Sequence, residues 1–178
     1  MAEASGEVWL RQAWSDLEAV MALHVGKRPG FCCQVLSKCQ QTVEKSIKAV
    51  VAALTEKRII SVTIGRKHDI TRFFSELIRR SFRKADPELQ TQVFGLLTEH
   101  RRAEIFALER LAPQWPAPGR PFPRNTEYPF QKHDGTWCAP ADADSFDWKT
   151  DVERFRSLAE DVFHGCGRIV SLAAREPD

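Results

Sequence analysis

Cysteine is sparse and unpatterned in this 178-residue chain: Cys32, Cys33, Cys39, Cys138 and Cys166 form an odd set without a Cys-x-x-Cys pair. Structural zinc asks for paired thiolates or histidines at short fixed spacing, so a zinc site is not expected. The cysteines read instead as small apolar residues in a reducing compartment, with Cys39 and Cys166 on apolar stripes. No apolar run approaches the ~20 residues that a membrane-spanning helix requires. The acidic start Met-Ala-Glu-Ala-Ser-Gly-Glu lacks the basic and apolar stretches of a secretory leader. Cytoplasmic residence without membrane contact is the expectation. No Gly-rich loop follows a strand pattern and no His-Glu-x-x-His occurs, which argues against phosphate-loop enzymes and zinc proteases. No cofactor is implied, and no internal repeat is visible.

What is present describes one globular domain over residues 1–178, with 43% hydrophobic and 28% charged residues. The net charge of +2 hides an uneven distribution. From Lys57 to Lys84 there are nine Lys or Arg against two acids, and from Asp134 to Asp161 eight acids against three bases. The basic segment could meet phosphates, form an ordinary solvated surface, or pair with the acidic segment within the fold or across a dimer.

Helical periodicity dominates. Leu10, Ala13, Trp14, Leu17, Val20, Met21 and His24 share one face of a helix over about 7–25, before Lys27-Arg28-Pro29-Gly30 breaks it. A longer stripe through Cys32, Val35, Cys39, Val43, Ile47, Val50 and Leu54 predicts a helix over 31–57, with Gln34, Lys38, Gln41, Lys45 and Lys48 on its opposite side. The β-branched run from Ile59 to Gly65 lacks a partner strand and reads as a loop packed on the bundle. Further helices are predicted over 69–82 and 86–111, the latter with Pro87 in its first turn and His100 on its apolar stripe. The last is predicted from Ser145 to Ala174, with Asp144 and Ser145 both candidate N-caps. Seven of the ten prolines fall between Pro113 and Asp144, which predicts a long ordered loop fixed by Trp115, Phe122, Tyr128, Phe130 and Trp137. The fold class is therefore all-α, an up-and-down bundle of about five helices with a Pro-rich loop before the last.

The string Cys39-Gln40-Gln41-Thr42-Val43-Glu44-Lys45-Ser46-Ile47-Lys48-Ala49-Val50 resembles the A-Q-Q-A-A-E-K-A-L-K-A-L signature of HEPN (higher eukaryotes and prokaryotes nucleotide-binding) domains. Trp9-Leu10, Ala13, Asp16-Leu17 and Ala19 resemble that family's first helix. His68-Asp69-Ile70 resembles its H-D-L, and Thr126-Glu127-Tyr128-Pro129 its T-R-Y-P. The resemblance runs from Trp9 to the last helix. It implies a helical module, often homodimeric, that binds nucleotide or RNA phosphates, sometimes beside a nucleotidyltransferase partner. Carried over by position, its binding residues are Gln41, Lys45, Lys48, His68 and Tyr128. Neighbouring Arg66 and Lys67 could add charge, and Tyr128 or Trp137 could stack on a base. Gln41, Glu44 and Lys45 could equally form a polar network between helices, and His68 a helix cap.

Two departures shape the functional reading. Glu127 reverses the charge at a position where the family has Arg. Active HEPN ribonucleases carry Arg and His four to six residues apart, and here the nearest pair, Arg124 and His133, has eight residues between. A metal-independent RNase would use the His as acid or base while the Arg stabilises phosphate charge. The wider gap and Pro129 favour binding over catalysis. The acidic pairs Asp142/Asp144 and Asp147/Asp151 could hold a divalent cation through oxygen ligands, but capping and the helix macrodipole explain them with less assumption. Expected first is a non-catalytic nucleotide- or RNA-binding module. The alternatives are a protein-interaction or dimerisation module without nucleotide binding, and a toxin-like RNase.

Overall fold

The computed structural model describes residues 5–61, 86–112, 123–142 and 145–175. Among them are five α-helices: α1 (Gly6–Gly26), α2 (Cys32–Glu56), α3 (Pro87–Leu96), α4 (Glu99–Glu109) and α5 (Glu153–Ala173). Their cross-contacts give the directions. Gly6 N–H donates to Glu56 Oε1 at 3.2 Å, and Gly26 approaches Phe31, so α1 and α2 are antiparallel. His24 meets Glu153 while Leu10 lies against Gly167, so α5 is antiparallel to α1 as well. Leu96 packs on Gly165 and Glu104 pairs with Arg154, which sets the α3–α4 arm antiparallel to α5. The described helices thus alternate up and down, as the apolar patterning implies. The predicted helix over 69–82 lies outside the described residues.

Helix α2 is the centre of the bundle. Its whole predicted stripe is buried, and Leu36, Ala49, Val51, Ala52 and Ala53 are buried with it. Periodicity captured the deepest stripe and underestimated its width, because α1 and α5 both pack on this helix. All five cysteines are buried and none is in a disulfide. Burial pushes the Cys39 and Cys166 thiols far above their ordinary range, which keeps them protonated and inert.

Three local expectations are corrected. The helix expected over 86–111 is two helices. Leu97 leaves helical geometry, and the Thr98 hydroxyl accepts from Arg101 N–H at 3.3 Å to start α4. Thr is a better cap than an interior helical residue, since its oxygen competes for backbone donors. His100, expected on the apolar face, is exposed as a result. The last helical segment begins with a π-helical turn, Trp148–Val152, before α5. Asp147, not Ser145, caps it by accepting from Thr150 N–H at 2.7 Å, and Asp144 lies outside the described residues. Among the described residues of the Pro-rich segment a short hairpin forms, β1 (Phe130–Gln131) with β2 (Trp137–Cys138), paired Phe130 to Cys138 and Gln131 to Trp137. Phe130 anchors it in the interior, whereas Tyr128 and Trp137 are 44% and 62% exposed and do not pin the loop. Trp115 and Phe122 lie outside the described residues.

Candidate functional site

The polar side of α2 faces α1. Asp16, 4% exposed, accepts from Lys38 Nζ at 2.9 Å and from Lys45 Nζ on its other oxygen. Lys38 also donates to Gln41 Oε1 at 2.8 Å. One turn on, Lys48 donates to Glu44 Oε1 at 2.5 Å, both residues being buried, and its ammonium stands 5.1 Å from the Trp9 ring. The structure therefore places Gln41 and Lys45 in an inter-helix network on Asp16 and pairs Lys48 with Glu44 within α2. A polyanion there would have to displace carboxylates already desolvated with their lysines. Arg66, Lys67 and His68 lie outside the described residues.

A different set of cations surrounds a cleft of about 930 Å³ between the end of α4 and the hairpin loop. Ala107, Arg110 and Leu111 line it from α4 and the turn that follows; Arg124, Phe130, Lys132, His133 and Asp134 line it from the loop. Local chemistry builds the loop side. Asn125, fully buried, accepts from the N–H groups of Glu127 and Tyr128 at 2.9 and 2.7 Å, and donates to the carbonyls of Pro123 and Tyr128. That closed turn is hung on α4 by Thr126 N–H donating to the Leu111 carbonyl at 3.0 Å. Gly135 takes the left-handed φ of +86° that reverses the hairpin. The Asp134 carboxyl accepts from Thr136 N–H at 2.9 Å, and that backbone hydrogen bond holds its pKa below the usual range.

The structure brings Arg124 and His133 to this one cleft despite their separation in sequence. Arg124 is already committed, however. Its Nε donates to the Ser145 carbonyl at 2.9 Å, a terminal nitrogen to Asp151 at 2.5 Å, and the guanidinium lies 4.4 Å over the Phe146 ring. It fastens the loop to the π-helical turn and presents little uncompensated charge. Arg110 and His133 are exposed, and neither has an acidic partner among the described residues; Lys132 is half-buried beside them. Sequence reading passed over Arg110 and Lys132. Arg110 belongs to no motif, and the Thr126–Leu111 hydrogen bond that ties the loop to its helix end spans 15 residues of sequence. The acidic residues do structural work: Asp142 accepts from Ala139 N–H at 2.7 Å, and Asp151 serves Arg124 and Asp147 N–H. Among the described residues no group of His, Cys, Asp and Glu is arranged to hold a metal ion, and no helix is long and apolar enough to cross a membrane.

Comparison with known families gives one match: the HEPN domain model aligns with residues 7–103, more than half of the chain. No curated protein and no solved structure matches the sequence significantly.

Proposed function

The chain belongs to the HEPN domain family, and from that premise we propose that it binds nucleotide or RNA phosphates at the cleft of Arg110, Lys132 and His133. One observation carries this reading: Arg110, exposed and without an acidic partner among the described residues, shares with Lys132 and His133 a cavity lined also by Ala107, Leu111 and Phe130, while Lys45 and Lys48 are held in internal ion pairs. Phosphate recognition needs positive charge whose solvation is exchanged for the ligand, and a base needs apolar or aromatic surface beside it. Trp137, paired across the hairpin from Gln131, is an exposed aromatic ring on the same hairpin. Fluorescence anisotropy with labelled oligo(U) and with labelled ATP tests the proposal. The Arg110→Ala/Lys132→Ala variant should bind more weakly, and its salt dependence should flatten by about one unit of log–log slope. Unchanged affinity and slope would exclude the cleft as the binding surface. Dimerisation and a nucleotidyltransferase partner remain what family resemblance implies, open to light scattering and co-purification with that enzyme.

A ribonuclease reading is supported by Arg124 and His133 lining the same cleft. The partners that hold Arg124 weigh against it, since a guanidinium neutralised by Asp151 has little charge to offer a scissile phosphate. Incubating tRNA with the wild type and with His133→Ala separates the two: cleavage lost in the variant establishes catalysis, and equal or absent cleavage leaves binding.

A further inference from the structure

A second groove, of about 480 Å³, opens between α1, the start of α3 and the C-terminal half of α5. It lies at the other end of the α3–α4 arm from the phosphate cleft. Its lining divides by chemistry. Leu10, Phe163 and Leu172 are apolar; His164 and Arg168 lie on α5 and Arg175 in the turn that follows it; Glu88 and Gln92 line it from α3. His164, Arg168 and Arg175 are exposed, and neither arginine has an acidic partner among the described residues. The apolar part continues beyond the groove. The Phe163 ring meets Trp14 at 5.5 Å, Trp14 is 42% exposed, and Met21, two turns along the same face of α1, is 38% exposed.

Gly167 lines the groove without a side chain, and an added Cβ would meet Leu10 at 3.9 Å, which is ordinary contact, so a larger residue can be placed there without a clash. We propose that the groove docks an acidic amphipathic segment of a partner protein, its apolar side chains on Leu10, Phe163 and Trp14 and its carboxylates on Arg168 and Arg175. Charge complementarity gives the sign of the partner. A peptide fits better than a nucleic-acid strand because Phe163 already has Trp14 and His164 against its ring, where base stacking wants an open face.

The test is anisotropy on the full chain with a fluorescein-labelled helical peptide bearing Glu on one face and Leu and Phe on the other. A peptide with every Glu replaced by Lys, and oligo(U), serve as controls. The acidic peptide should bind saturably and the basic one should not. Arg168→Glu/Arg175→Glu should weaken binding about tenfold or more. Gly167→Leu, which fills the groove without touching a charge, should also weaken it while its circular dichroism and urea midpoint show an intact fold. Arg110→Ala/Lys132→Ala should leave peptide binding unchanged, which separates this groove from the phosphate cleft. Equal binding of the two peptides, binding of neither, or indifference to both groove variants overturns the proposal. So does displacement of the peptide by oligo(U) whose own affinity depends on Arg168 and Arg175.

Discussion

Lys45 reaches from α2 to Asp16 on α1, and the carboxylate it meets is 4% exposed. The pair shares its acid with Lys38, so one buried anion ties two positions of α2 to α1. Asp16→Ala should destabilise the fold by about 1–2 kcal/mol, short of the cost of breaking a fully buried pair, because both lysine side chains keep partial access to water. Lys45→Met should cost less, since Lys38 still serves Asp16. Urea midpoints measure both. An Asp16→Ala midpoint equal to wild type would show that the network does not hold these helices together.

Lys48 and Glu44 pose a sharper case, as both are buried one turn apart on the same helix. Removing the Lys48 ammonium takes from buried Glu44 its ion-pair partner on α2, in a low-dielectric interior where that loss is costly. Lys48→Met alone should lose about 2–4 kcal/mol, and Glu44→Leu/Lys48→Met should lose less than that single variant. A double variant worse than the single would mean that the pair contributes net stability beyond its own desolvation.

Acid should act through carboxylates on α4 and α5. The hydrogen bond from His24, then that from Arg156, holds Glu153 below the usual carboxylate range, and the two bonds from Arg154 do the same for Glu104. The unfolded chain protonates such groups near pH 4.3, so their stabilisation is complete above about that pH and is lost as pH falls through the lowered folded values. Urea midpoints should hold steady from neutrality to about pH 5 and fall below about pH 4. Glu104→Gln should lower the neutral midpoint and make the acid drop shallower. An acid drop as steep as wild type would remove Glu104 from the linkage.

The start of α1 approaches α2 so closely that only glycine fits at position 6: an added Cβ would lie 2.8 Å from the Ala49 carbonyl oxygen and 2.9 Å from Ala53 Cβ. Gly6→Ala gains helix propensity but must push backbone, and should lose about 1–2 kcal/mol net. At Gly165 the close atom is the Leu96 methyl at 2.9 Å, the end of a side chain that can turn away, so Gly165→Ala should cost less. Thermal melts order the two, and a raised Tm for Gly6→Ala would contradict the close approach.

Much of the bundle was legible because burial repeats along a helix with its own period. The stripe from Cys32 to Leu54 is buried at every position named, and α1 begins and ends within a residue of its expected limits. The break at Leu97–Thr98 was missed because the apolar spacing of α3 runs on into α4 across it, and a hydroxyl cap outweighs periodicity over so short a stretch. The site was less legible still. Lys45 and Lys48 look solvated on a helical wheel, and only the position of Asp16 and the packing of Trp9 show otherwise.

The order of apolar and polar residues by itself determined an all-α chain, and the Cys39–Val50 string carried its resemblance to the HEPN family, since amphipathic period and motif are local properties carried along the backbone. Tertiary structure alone decided which cations are spent on internal carboxylates and which face a cavity. That outcome depends on distances between residues far apart in sequence, such as Asp16 to Lys45 or Arg110 to His133, and no local pattern encodes them.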